Sequence, residues 1–253
     1  MLQGVGVIGE GWRPQVDALA DRFTLITIDN RGIGRSEITD GPLTIEAMAT
    51  DALAVMDAEQ VERFHLAGHS MGGVIAQEIA LRVPDRVMSL SLLCTFLHGR
   101  DGARMSAGML VTALRMRIGT RAMRRNAFLE LVIPAGMLRQ ADRAHLAAEL
   151  ASLFGRDLAE QPPIVMRQLH AMARYDAASR LGELRGVPTL VVSAAEDRIS
   201  RPEDGRGLAA AIPGARLVAL PRAAHGLPIH SPADVNELLA QHFTSAQELL
   251  SEA

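Results

Sequence analysis

The sequence predicts an α/β protein built on a mainly parallel sheet, on three observations. Short apolar runs of β type alternate with segments of helical spacing along most of the 253-residue chain. Glycine-rich and polar turns follow the ends of these runs, where sheets of this class carry their chemistry. A serine stands between one such run and one helix, in Gly68-His69-Ser70-Met71-Gly72-Gly73.

The elements follow in order. Residues 1–9 form a short apolar start running into a glycine-rich loop, and 12–19 have helical spacing. Gly4, Gly6 and Gly9 match G-x-G-x-x-G, yet almost no strand precedes them and no acidic ribose ligand is well placed, which argues against dinucleotide binding. Residues 24–29 read as a strand, and the turn-rich loop 30–36 follows it. Apolar spacing at Ile45, Met48, Ala49, Ala52, Leu53 and Met56 predicts a helix over 44–56. A strand over 63–67 leads into the serine turn, and the helix beyond it spans 74–82, stopped by Pro84. Residues 87–94 form the next strand.

From about 95 to 180 the pattern is helical without convincing strands, with helices expected at 107–117, 121–132, 141–154 and 163–175. Such an insertion between two sheet strands reads as a helical cap over the C-terminal edge of the sheet, leaving 1–94 and 181–253 as the core. A strand at 187–194 ends at Glu196 and Asp197, and a helix at 203–211 leads to a strand at 216–220. The last helix has Ser231 as N-cap and Pro232 at its first position.

Composition narrows the function. With 48% apolar and 22% charged residues the chain reads as a soluble globular protein, and no apolar run reaches membrane-spanning length. A net charge of −3 argues against a nucleic-acid surface. No signal-peptide pattern is visible, so the cytoplasm is the expected compartment. All 26 basic residues are arginine, which removes Schiff-base chemistry, pyridoxal phosphate attachment and the Walker lysine. The single Cys94 permits no intrachain disulfide and reads as a buried core residue. No cluster has metal-ligand spacing, so neither a metal nor another cofactor is called for. The cap carries thirteen arginines against seven acidic residues. These arginines either lie on solvated helix faces or form a cationic entry path for anionic substrates.

Gly-x-Ser-x-Gly between strand and helix has the form of a nucleophile elbow, with the serine in a strained backbone conformation and the helix N-terminus beneath it. Ser70, Asp197 and His225 stand, in that order, at the ends of three different predicted strands. Through 29–36, 68–73, Ala194-Ala195-Glu196-Asp197 and Ala223-Ala224-His225-Gly226, nearly the whole chain resembles the lipase and esterase branch of the α/β-hydrolase superfamily. The resemblance implies that His225 is the base for Ser70 and that Asp197, rather than its neighbour Glu196, orients the imidazole. It places the oxyanion on the backbone N–H of Met71 and on a second N–H from the first loop. Where the family has His-Gly-x, this chain has Gln3-Gly4-Val5, which makes Val5 the second donor.

The function implied is hydrolysis of small carboxylic esters, or lactones, without a cofactor. Carbon–carbon bond hydrolysis, cofactor-free perhydrolysis or haloperoxidation, and a non-catalytic ligand-binding role are the alternatives. Dehalogenation and epoxide opening are disfavoured, because relatives with that chemistry have Asp at the Ser70 position. His69 is expected to be a structural hydrogen-bonding residue, and Asp29 to tie down the loop around Arg31. His98, His145 and His170, with the cap methionines Met105, Met109, Met116, Met123, Met137, Met166 and Met172, are either pocket-lining or ordinary core and surface residues. His230 is expected at the start of the last helix.

One departure concerns the N-terminus. The family's third strand, which ends at the oxyanion loop, would here have only Met1, Leu2 and Gln3, and two further strands normally precede it. The expectation is a truncated or late-assigned start, or a sheet that closes differently. A missing central strand would leave unpaired backbone groups on both neighbours.

Overall fold

The structure is a computed structural model and describes residues 1–38, 40–103 and 106–251. Its helices and strands run, in chain order, α1 (Arg13–Leu19), α2 (Ile45–Ala58), β1 (Phe64–His69), α3 (Met71–Arg82) and β2 (Val87–Leu93). Five helices follow: α4 (Ala107–Arg115), α5 (Arg121–Val132), α6 (Ala135–Leu138), α7 (Arg143–Phe154) and α8 (Pro163–Arg174). The chain then returns to β3 (Thr189–Ala194), α9 (Pro202–Ala211), β4 (Arg216–Leu220), α10 (Leu227–His230) and α11 (Pro232–Ser251).

The four strands form one parallel sheet in the order β1-β2-β3-β4, with Gly68 opposite Leu92 and Leu92 opposite Val191. Side chains alternate across the sheet, as the two-residue period of a strand requires. Leu66, Leu92 and Val191 join the core beneath α2 and α3, while Ala67, Leu93, Leu190 and Val192 join the core beneath α1 and α11. Both faces are covered, so β3 is buried at every residue. Each large side chain buried in these layers, such as Ile75 or Phe243, contributes about 1.5–3 kcal/mol.

α3 begins at Met71, three residues earlier than apolar spacing predicts. Gly72 and Gly73 are weak helix formers, but almost the whole helix is buried and tertiary packing outweighs propensity. Elsewhere the local signals are conventional. The Thr44 hydroxyl accepts from Ala47 N–H to cap α2, and Asp142 accepts from Ala144 and His145 N–H to cap α7. Gly155, in the left-handed region at φ 68°, ends α7.

The N-terminal residues fill the central position that the sequence leaves nearly empty. Leu2 bridges in parallel to Ile28 on one side and to Gly68 on the other. The Met1 nitrogen donates to Ile26 O and Ile28 N to Met1 O, while Leu2 N donates to Ala67 O and His69 N to Leu2 O. Two residues thus pair with both neighbours, so the backbone groups that a missing central strand would leave unpaired have partners at this position. The predicted strand at 24–29 is corrected: only Ile28 forms a bridge, because so short a partner supplies too few groups for a ladder.

This arrangement depends on glycine. A Cβ at Gly72 would lie within contact-forbidden distance of the Leu2 carbonyl and 2.8 Å from the Gln3 oxygen, and a Cβ at Gly68 would strike the Gly72 carbonyl. The obstructing atoms are backbone, so they cannot rotate away. Gly72→Ala is expected to cost about 3 kcal/mol or more, lowering Tm by about 6–12 °C in a thermal melt. An unchanged Tm would contradict the close approach.

Candidate active site

Ser70 occupies the apex between β1 and α3 at φ 55° and ψ −121°, a region that side chains rarely adopt. It is held there from several sides. Ser70 N donates to Leu93 O, the Thr95 hydroxyl donates to Ser70 O, and Gly73 N–H donates to the same oxygen. Such strain persists only where surrounding contacts over-determine it, and here they fix Oγ at the C-terminal edge of the sheet.

The structure brings Ser70, His225 and Asp197 together. His225 Nε2 lies 2.9 Å from Ser70 Oγ, and His225 Nδ1 lies 2.8 Å from Asp197 Oδ2. The other carboxylate oxygen, Oδ1, accepts from Ile199 N–H at 2.7 Å and Ser200 N–H at 2.9 Å. Neither of these two donors is visible in the sequence pattern. With Asp197 fully buried and acceptor-only, its partner nitrogen on His225 carries the proton, which leaves Nε2 free to accept from Ser70. Glu196 is exposed and accepts from Ala135 N–H instead, away from the histidine.

The oxyanion candidates converge from two elements. The position of a Gly4 Cβ would be 3.0 Å from Ser70 Cβ, so the loop carrying Val5 lies against the serine. Among the described residues, neither Val5 N–H nor Met71 N–H meets a protein acceptor. Met71 opens α3, where the first N–H groups have no intrahelical partner. The loop is fixed by side chains remote in sequence: Asn30 Nδ2 donates to Gln3 O, and Gly6 N–H donates to Gln168 Oε1. Asp29 ties down the neighbouring turns by accepting from Gly9 and Arg35 N–H, while Arg31 pairs with Asp51.

His69 is buried against this centre, with its ring centroid 5.0 Å from that of His225. Its Nε2 donates to His225 O at 2.7 Å, the shorter of its two contacts, and Nδ1 faces Gln3 Oε1 at 3.3 Å. Burial first, then the nearby His225, lowers its pKa to about 3, so the ring is neutral. Below the ordinary value of 6.5 an unfolded His69 binds a proton that the folded one refuses. Its contribution to stability is therefore complete above pH 6.5 and is lost as pH falls towards 3, at up to about 1.4 kcal/mol per pH unit. His65, His230 and His242 are shifted the same way by burial. Thermal melts should lose stability from pH 7 to pH 5, and His69→Gln should flatten part of that slope. A Tm that stays level, or rises, over this interval would contradict a neutral buried His69.

Cys94 is buried beside the triad at φ 44°, near the Asp197 carboxylate. Burial, reinforced by that carboxylate, pushes its pKa well above the usual thiol value. His69, Cys94 and His225 lie within 4.8 Å of one another through their ligand atoms. His69 and His225 are engaged in the hydrogen bonds just described.

Ser70 and His225 open into a cavity of about 650 Å³ beneath the helices between β2 and β3. Its wall is mainly apolar, and of the cap methionines Met109, Met116, Met166 and Met172 line it. Met123 and Met137 are exposed elsewhere, and Met105 lies outside the described residues. His170 reaches the cavity, whereas His98 pairs with Asp176 and His145 with Glu149. His230 ends α10, where Nε2 accepts from Ala224 N–H.

Ser70, Asp197 and His225 meet beyond the C-terminal ends of three strands of one parallel sheet, and the chain belongs to the alpha/beta hydrolase fold family, whose model matches residues 1–232. Among curated relatives, the protein named "Putative carbamate hydrolase RutD" from Azorhizobium caulinodans is 33% identical over 93% of this chain and 87% of its own length. Among solved structures, the enol-lactonase from Burkholderia xenovorans LB400 is 27% identical, with TM-score 0.76 over 96% of this chain and 90% of that one. A thermophilic esterase from Thermogutta terrifontis is 26% identical, with TM-score 0.78 over 97% and 88%. Among the described residues, no helix is long and apolar enough to cross a membrane.

Proposed function

We propose that the chain is a serine hydrolase in which Ser70 attacks an acyl carbonyl and His225 takes its proton. The observation that carries this reading is the continuous line of hydrogen bonds from Asp197 through His225 to Ser70 Oγ, ending in an apolar cavity. Attack places negative charge on the carbonyl oxygen, which Met71 and Val5 N–H receive; such a donor is worth about 3–4 kcal/mol in the transition state. The imidazolium, stabilised by Asp197, then protonates the leaving group, and water repeats the sequence on the acyl-enzyme. Residues 95–180 act as a cap that closes over the core formed by 1–94 and 181–253.

Carboxylic esters, lactones included, are the substrates this chemistry takes most readily. Carbamates are the second reading, favoured by the identity with relatives named as carbamate hydrolases. Both have a carbonyl that Ser70 attacks in the same way, but nitrogen donation makes a carbamate carbonyl less electrophilic. Steady-state hydrolysis of p-nitrophenyl esters from C2 to C12, set beside p-nitrophenyl carbamates, tests both. Turnover of esters with a chain-length optimum is the expected result, and faster turnover of the carbamates would select the second reading. Turnover of neither would overturn the proposal.

A further inference from the structure

The cavity above Ser70 carries positive charge in its wall and no carboxylate beside it there. Among the described residues Arg117 and Arg156 line it, and no carboxylate does. Three neighbouring arginines are spent on acids: Arg115 on Glu130, and Arg121 and Arg125 on Asp157, with Arg121 also reaching Glu160. Among the described residues, Arg156 has no carboxylate within ion-pair distance. Its Nε donates to Gly6 O at 3.3 Å and one terminal nitrogen donates to Glu160 O at 2.6 Å. Both partners are backbone carbonyls, and the carboxylates of Glu160 and Asp157 act on the charge only through space, against a burial that lowers the pKa of the group.

Local structure aims this side chain. Gly155 turns the chain out of α7 in the left-handed region, and Arg156 follows immediately, half-buried with its guanidinium 5.8 Å from the Phe128 ring centroid. The second terminal nitrogen lies 3.3 Å from where a Gly6 Cβ would stand. Gly6 is two residues beyond Gly4, whose own Cβ position is 3.5 Å from Ser70 Oγ. Two residues span at most about 7 Å, so the guanidinium lies within roughly 15 Å of the nucleophile. Gln161 shares the cavity wall, and its buried Nε2 has no hydrogen-bond partner. Among the described residues the second terminal nitrogen of Arg156 and the Gln161 amide nitrogen meet no protein acceptor, and donors left so in an apolar wall are costly.

Resting on the hydrolase reading, we infer that Arg156, assisted by Gln161, binds a carboxylate on the substrate and makes this enzyme selective for anionic acyl compounds. A guanidinium fork matches a carboxylate in two parallel hydrogen bonds, and a cavity that excludes water strengthens the pairing. Arg117, exposed at the mouth, adds attraction that salt screens, whereas the half-buried Arg156 contact is screened much less.

The test compares carboxylate-bearing esters with their neutral methyl esters. Mono-p-nitrophenyl adipate against methyl p-nitrophenyl adipate places the charge on the acyl side; 4-acetoxybenzoate against methyl 4-acetoxybenzoate places it on the leaving group. In at least one pair, kcat/KM should favour the carboxylate by about tenfold or more. Arg156→Gln should remove that preference through KM, so that the charged and neutral members of a pair react alike, and Arg156→Lys should keep part of it. Equal rates on charged and neutral members of both pairs, with the neutral esters still hydrolysed, would overturn the inference and leave the hydrolase reading standing. Loss of both members in parallel on Arg156→Gln, with the preference surviving in Arg156→Lys at full size, would assign Arg156 a purely structural role in holding Gly6. No turnover of any of the four esters would remove the hydrolase reading and this inference with it.

Discussion

Ser70→Ala is expected to lower kcat on p-nitrophenyl esters by about 10⁶-fold while leaving Tm within a few degrees of the parent. The size follows from the unit behaviour of such centres, in which loss of the nucleophile costs nearly as much as loss of all three members. The fold should survive because, among the described residues, Ser70 Oγ hydrogen-bonds only His225, whereas the backbone anchors at Leu93, Thr95 and Gly73 do not involve it. Steady-state kinetics with a thermal melt on the same preparation checks both halves. A variant that retains more than about a thousandth of the activity would exclude Ser70 as the nucleophile.

Asp197→Asn should cost about 10⁴-fold in kcat through a change of tautomer rather than of position. The Asp197 side chain is pinned by Ile199 and Ser200 N–H, both of which donate to Oδ1. An asparagine must keep its carbonyl oxygen there, since an NH₂ group facing two N–H donors leaves all of them unsatisfied. Its NH₂ therefore faces His225 Nδ1, which must accept. The ring proton then moves to Nε2, and Nε2 no longer accepts from Ser70. An Asn variant within tenfold of the parent would show that Asp197 does not set the tautomer. Glu196→Gln, at an exposed site that does not touch His225, should have little effect.

The periodicity of the sequence carried the alternation of strands and helices well, because both faces of the sheet bury apolar residues at regular intervals. It misjudged the N-terminal region. Residues 24–29 have the composition of a strand, but a ladder needs a partner, and pairing by Met1 and Leu2 is not a property of either segment alone. The start of α3 was missed for a related reason: Gly72 and Gly73 look like turn residues, yet close packing against Leu2, Gln3 and Thr95 demands glycine inside the helix.

At the site, Ser70, Asp197 and His225 were legible because their chemistry is unusual and each follows a recognisable strand. The role proposed for Val5 and Met71 uses backbone N–H, which every residue but proline has, so only the resemblance to a family suggested them. The supports of the loop were not legible at all. Gln168 lies 162 positions from Gly6, and Asn30 lies 27 from Gln3. Arg156 was one of thirteen cap arginines in the sequence. Only folding shows which of them pair with acids and which line the cavity.

The central claim is that Ser70 is a nucleophile activated by His225 and Asp197. A fluorophosphonate tests it most directly, because the reagent needs an activated serine and no knowledge of the substrate. Intact-mass analysis after incubation should show a single adduct, mapped by peptide sequencing to Ser70, and labelling should fall sharply in Asp197→Asn and vanish in Ser70→Ala. A folded protein that takes up no label, or takes it at another residue, would contradict the account.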